Sequence, residues 1–365
     1  MKPTRTIVIV LFVALALLFF WRAQGPNQRG VANAPEPVSG ASSLVPPPAL
    51  KMAVEQLRHE LSDPEKSRKV LDELRSRLAA MPKPDAVTFL RLALESGTDA
   101  PTGLDFKPDG KGGLTDVSSL RVFLLDQLRA LDPEVAREFA RAILARPTTA
   151  DEWALSLAVV ATDPTSAGRD FLRQKSRELA LHKPWQGEPS AGFLEAFDAF
   201  VFNRDTDFVP ELSSMLAQTN NRALAHAAFL TLDRLVQAAP AVTLDSLLQQ
   251  PGLGMTRDAT RAGYFARADV RDPAQLGVLE KFLTQPAISV TERERFLAGF
   301  PSANFMVSQN LLTSSATPAG SEIAARDLAT LKVLNNWVSD PRFAGLKPAL
   351  ESARDRLAKF VSSPR

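Results

Sequence analysis

Between Ser96 and Asp116 the chain reads SGTDAPTGLDFKPDGKGGLTD, and this stretch holds the residues whose types and spacing come nearest to a chemical pattern. Asp105, Asp109, Gly110 and Asp116 fall at the first, fifth, sixth and twelfth places of an EF-hand loop, where calcium needs oxygen ligands and a sharp turn. Lys107 takes the third place, Pro108 stiffens the fourth, and Asp116 stands where a bidentate Glu belongs. The plainer reading is a glycine-rich hairpin or extended loop, with Asp116 capping the helix that follows. Asp105, Asp109 and Asp116 are thus calcium candidates against an expectation of no metal and no cofactor. A loop of this length inside a compact helical body is often functional. Asp105, Phe106, Lys107 and Lys111 are therefore candidate contacts for a partner, as is Trp185, which lies between helices in HKPWQGEP.

Other chemistry is thinly represented. His59, His182 and His226 lack ligand spacing, and with no cysteine in the chain a zinc site has few donors. The absence of cysteine also removes thiolate catalysis. Asp205 with Asp207 and Asp151 with Glu152 are the closest carboxylate pairs. Two carboxylates can cleave a glycosidic bond, so an all-α hydrolase or lyase of envelope polymers is the alternative function. Both pairs sit where helices begin, however, and the helix dipole accounts for acids there. No catalytic residue is expected.

The elements that position these residues are helices. Leu50, Val54, Leu57 and Leu61 make one apolar stripe, and Val70 or Leu71, Leu74 and Leu78 make the next. Later stripes run through Leu120, Phe123 or Leu124, Leu128 and Leu131, through Phe193, Phe197 and Phe200, and through Leu328, Leu331, Leu334 and Trp337. Asp-Pro recurs at 63–64, 132–133, 163–164, 272–273 and 340–341. Asp accepts bonds from the free N–H groups of a first turn, and Pro there forfeits no hydrogen bond, so five helix starts are expected. Thr291 with Glu294 reads as a capping box, and Gly97 as a helix stop.

Composition and the N-terminus set the location. Residues 1–5 form a short basic segment with Lys2 and Arg5, and residues 6–22 read as a transmembrane signal-anchor. Pro26 and Pro35 follow the candidate cleavage sites, which favours an uncleaved anchor over a signal peptide. Residues 23–48 form a Pro/Gly/Ser-rich tether. The expected placement is a single pass through the inner membrane with the body in the periplasm, if the cell is bacterial. The alternative is secretion after signal peptide cleavage. Residues 1–50 hold four basic side chains and one acid, so the chain's 43 basic and 41 acidic side chains leave a nearly neutral body. No nucleic-acid partner is expected from that balance.

Two segments share one layout. In Phe208–Val236 a first helix through Leu212 and Leu216 is followed by a polar turn and a second helix through Leu224, Ala228, Leu232 and Leu235. In Ser119–Leu144, Asp132-Pro133 opens a second helix carrying Val135, Phe139, Ala140 and Ile143. This layout resembles HEAT repeats. The resemblance implies an all-α, irregular HEAT-like solenoid over residues 49–362. It also implies a scaffold or adaptor that binds a protein through one face, and it carries no catalytic residue.

Overall fold

The computed structural model describes residues 48–59, 63–218, 220–250, 253, 260–302 and 308–362. The expected anchor at 6–22, and Leu61 of the first stripe, lie outside the described residues. Among the described residues the chain is all-α apart from two short antiparallel ribbons, and no helix is long and apolar enough to cross a membrane. Pro48, read as the end of the tether, is already the first residue of the helix Pro48–His59.

Asp-Pro sets helix starts as expected at three places. Asp63 accepts bonds from the Glu65 and Lys66 amides, Asp132 from Val135 and Asp272 from Ala274, with the following proline opening each helix. Asp340 caps a 3-10 turn, Pro341–Leu346, that leads into Lys347–Ser362. At 163–164 the start moves two residues on. Asp163 bonds to the Thr165 amide and hydroxyl, and Thr165 caps Ser166–Leu181 through the Gly168 amide. The capping-box reading of Thr291 is also displaced, because Ser289 caps Val290–Gly299 through the Glu292 amide. Gly97 closes Lys83–Glu95 with a φ of +68°, the left-handed conformation a glycine stop requires.

Apolar faces then drive packing, each buried Leu or Phe side chain contributing about 1.5–3 kcal/mol. Helices pack on their neighbours in the chain: Lys83–Glu95 on Leu120–Leu131, Pro133–Ile143 on Ala150–Val160, Val209–Leu216 on Arg222–Ala238, and Gly320–Ser339 on Lys347–Ser362. Phenylalanines supply much of the core. One run of ring contacts passes through Phe265, Phe282, Phe296, Phe300, Trp337 and Phe343. Leu334 and Trp337 of the Leu328 stripe are buried as expected, whereas its first half is displaced by one residue. Leu328 is 47% exposed, and the buried face of Gly320–Ser339 is Arg326, Asp327, Thr330, Leu334 and Trp337. Arg326 turns inward because its Nη2 donates to the Ser302 carbonyl at 2.6 Å.

Arginine–carboxylate pairs inside the body join helices that are not adjacent in the chain. Arg121 pairs with Glu152, and its Nη1 donates to the Leu94 carbonyl at 2.8 Å. Arg177 holds Asp205 through two bonds of 2.8 and 2.5 Å. Arg261 holds Glu292 at 2.6 and 2.8 Å and also donates to the Gln250 carbonyl at 2.8 Å. Arg234 pairs with Asp198, and Arg267 with Asp233 at 2.5 Å. A guanidinium has five donors in a fixed fork, so one arginine can serve both a carboxylate and the loose carbonyls at a helix end.

Replacing Arg261 by Ala strands the Glu292 charge in the core and is expected to cost about 3–5 kcal/mol of unfolding free energy. Arg261→Met combined with Glu292→Leu is expected to recover most of that loss. Chemical denaturation of the three proteins checks both, and a loss under about 1 kcal/mol for the single change would show that the pair is not structural.

Candidate functional site

Of the two plain readings of the 96–116 segment, a glycine-rich hairpin or an extended loop, the structure has the hairpin. From Pro101 to Lys107 exposed and buried residues alternate strictly, with Thr102, Leu104 and Phe106 inward and Gly103, Asp105 and Lys107 outward. The Thr102 amide donates to the Ser118 carbonyl at 3.1 Å, which ties the base of the segment to the start of Leu120–Leu131. Further out, Lys107–Pro108 pairs antiparallel with Leu114–Asp116, across a bulge. Asp109 forms the tip by accepting from the Lys111 amide at 2.6 Å and the Gly113 amide at 2.9 Å. Gly110 and Gly112 have φ of +71° and +88°, which side-chain-bearing residues rarely adopt.

The partner-contact candidates divide on this geometry. Phe106 is 3% exposed and belongs to the core, because the period-2 alternation of its strand turns it inward. Asp105, Lys107 and Lys111 point outward. Trp185 packs inward, with the His182 ring 4.0 Å away and the Trp153 ring 5.4 Å away.

The carboxylates of the calcium pattern are spent separately. Asp109 is committed to its own turn, and Asp116 accepts from Arg68 at 2.9 and 3.2 Å instead of capping a helix, a task taken by Ser119. No group of three His, Asp or Glu side chains placed to hold a metal occurs among the described residues. The acid pairs of the hydrolase reading are likewise engaged. Asp205 and Glu152 hold Arg177 and Arg121, while Asp151 accepts from the Ser190 hydroxyl at 2.5 Å and the Gly192 amide at 3.0 Å.

A second ribbon, Ser308–Gln309 with Ser314–Ser315, comes up against the first. No expectation pointed to it. The break in helical spacing between Pro301 and Pro318 is the signal that marks it in the sequence. Its turn is held by Asp198, which is only 2% exposed. That carboxylate accepts from the Leu312 amide at 2.6 Å, the Thr313 amide at 2.7 Å and the Thr313 hydroxyl at 2.6 Å. Arg234 donates to both Asp198 and the Thr313 hydroxyl.

The two tips meet at Gly110, where a Cβ would lie 2.7 Å from Gln309 Oε1. Beside that contact is a cleft of about 360 Å³. Its lining combines Lys111 of the first ribbon, Arg129 and Ala158 of the helices Leu120–Leu131 and Ala150–Val160, and Leu312 and Ser314 of the second ribbon. No described residue lining it is acidic. Arg129 is pinned by Asp126, whose Oδ1 accepts at 2.9 and 3.1 Å. Burial pushes the Asp126 carboxyl up from the ordinary aspartate value, against the pull of Arg129. Position 113 must be glycine for this guanidinium to lie so close, since a Cβ there would be 2.6 Å from Arg129 Nη2.

No family model matches the chain, and no curated protein or solved structure matches it.

Replacing Asp198 by Ala removes the acceptor of the Leu312 and Thr313 amides and leaves the Arg234 charge unpaired. Amide exchange at Leu312 and Thr313 is expected to accelerate well beyond that of Leu232 in the core, whereas equal acceleration at all three would indicate general unfolding. The hydrogen bond from Arg68 holds the Asp116 carboxyl below the ordinary range. Wild type is therefore expected to be more stable than Asp116→Asn at neutral pH. That advantage is retained above the ordinary aspartate value of about 3.9 and lost as pH falls through the lower folded-state value. Denaturation midpoints of the two proteins across acid pH measure it, and a gap that stays constant would contradict the assignment.

Proposed function

We propose that the chain is a membrane-anchored helical-repeat scaffold or adaptor that binds another protein in the cell envelope. The observation that carries this reading is the cleft between the ribbons. Two segments far apart in sequence are each tied to the helical body, meet at their tips, and leave beside them a recess whose described lining residues include two cations and no acid. Ordered loops on a rigid frame are where binding residues concentrate.

An irregular HEAT-like stack is supported by helix pairs at Ser119–Leu144 and Phe208–Val236. It is supported also by the buried pairs, whose partners lie 31, 28, 36 and 31 residues apart, close to one two-helix unit. The basic start and the apolar run in residues 6–22 support a membrane anchor with the body across the membrane. Tethering of that kind raises the local concentration of the scaffold at its target. We favour a scaffold over a hydrolase or lyase because Asp205 and Glu152, the inner members of the two acid pairs, each hold an arginine.

Photo-cross-linking in the source cell tests the reading. A benzoylphenylalanine at position 111, in the cleft wall, is expected to give a discrete protein adduct that the same group at position 73 does not give. Glu73 is an exposed residue on the helix Pro64–Ala80 and is not among the residues lining the cleft. Ser314→Trp, which fills the cleft from the second ribbon, is expected to abolish the adduct. Identical adducts from 111 and 73, or none from either, would overturn the proposal.

A further inference from the structure

Resting on the protein-binding reading, we infer that the occupant of the cleft is a short extended peptide segment bearing an acidic side chain. The argument begins with charge. Lys111 is exposed at the ribbon tip, and Arg129 lines the same cleft. The carboxylates near Arg129, those of Asp126 and Asp109, are not among the described residues lining the recess. Asp126 is buried, and Asp109 is folded into its own turn. Among the described residues of the lining a visiting carboxylate therefore meets two cations and no acid, and a charge-assisted bond to a guanidinium or ammonium is about twice as strong as a neutral one.

Shape favours a peptide in extended form. The cleft lies between two separate antiparallel ribbons, each presenting backbone and short side chains, and its volume of about 360 Å³ is at the small end of ligand pockets. An extended segment projects alternate side chains to opposite sides. One acidic side chain can then reach Lys111 and Arg129 while its neighbour lies against Leu312. Exposed hydroxyls at Thr162 and Ser314 supply polar contacts at the rim. Strand addition beside an existing ribbon is an established way of holding such a segment. Asp198 and Arg234 keep the second ribbon in place, so the recess is formed before the peptide arrives.

Fluorescence anisotropy on the full-length protein in detergent tests this, with a labelled six-residue peptide of alternating Glu and Val as the probe. The same peptide with Lys in place of Glu, and free glutamate, are the controls. Saturable binding of the Glu peptide alone is expected, weakened by added salt as charge pairing requires. Lys111→Glu is expected to weaken it roughly tenfold, the scale of one lost charge pair. Ser314→Trp is expected to remove it. Both positions are exposed, so neither change burdens the fold. Equal binding of the Lys peptide, or unchanged binding by Lys111→Glu, would overturn the inference. If the Glu peptide fails to bind while position 111 still cross-links a protein, the acidic-peptide inference falls and the scaffold reading stands. If both fail, both fall.

Discussion

The buried arginine–carboxylate pairs are the constraint on which the other features depend. Ions removed from water must meet a partner in good geometry, and an unpaired one costs several kcal/mol. Apolar packing alone tolerates sliding of one helix on another, since hydrophobic attraction has no direction. A bidentate pair such as Arg261 with Glu292 tolerates none. Arg121 with Glu152, Arg234 with Asp198 and Arg261 with Glu292 each join two helices separated by an intervening element, while Asp205 and Arg267 bring the turns that follow Asp198–Phe202 and Thr260–Phe265 into the same scheme. Several arginines also satisfy a carbonyl at the end of a preceding helix, as Arg121 does at Leu94, so the same side chain holds the helix end.

Asp198 carries this constraint into the site. It lies in the short helix Asp198–Phe202 and pairs with Arg234 on Arg222–Ala238, as the other buried acids pair with their arginines. Its remaining acceptor capacity goes to the turn of the second ribbon, 115 residues away at Thr313. Closing so long a stretch costs little more entropy than closing half of it, about 0.6 kcal/mol per doubling. Charge-assisted bonds from two amides and a hydroxyl are ample against that difference. A pure repeat stack contacts only its neighbours and can fray unit by unit. Contact between the ribbon tips adds a non-local tie, and with it a recess that neither ribbon forms alone.

The helices were legible in sequence because their signals are local. Asp132-Pro133 and Asp272-Pro273 start helices through bonds within one turn, and Gly97 stops one through its own φ. Reading failed where a distant partner decides. Arg326 and Asp327 look like surface residues, yet they face inward and push Leu328 out, shifting the first half of the expected stripe by a position. Phe106, a candidate partner contact by sequence, belongs to the core, because its segment is too short for alternation to stand out among glycines and prolines. Of the residues lining the cleft, Lys111 is legible as a partner contact because it lies in the stretch that breaks the helical pattern. Arg129 and the 308–315 ribbon are not, since their roles arise only when distant elements meet.

The central claim is that the two ribbon tips touch, and the absence of native cysteine makes it directly testable. A Cβ at position 110 would lie 3.0 Å from that of Gln309, about 0.5 Å inside the 3.5–4.5 Å that a disulfide spans, so the tips need only ease slightly apart for the bond to close. The full-length protein carrying Gly110→Cys and Gln309→Cys is expected to form an intramolecular disulfide under mild oxidation, while Gly97→Cys paired with Gln309→Cys forms none. Failure of the 110–309 pair to close, in protein whose circular dichroism matches wild type, would contradict the account.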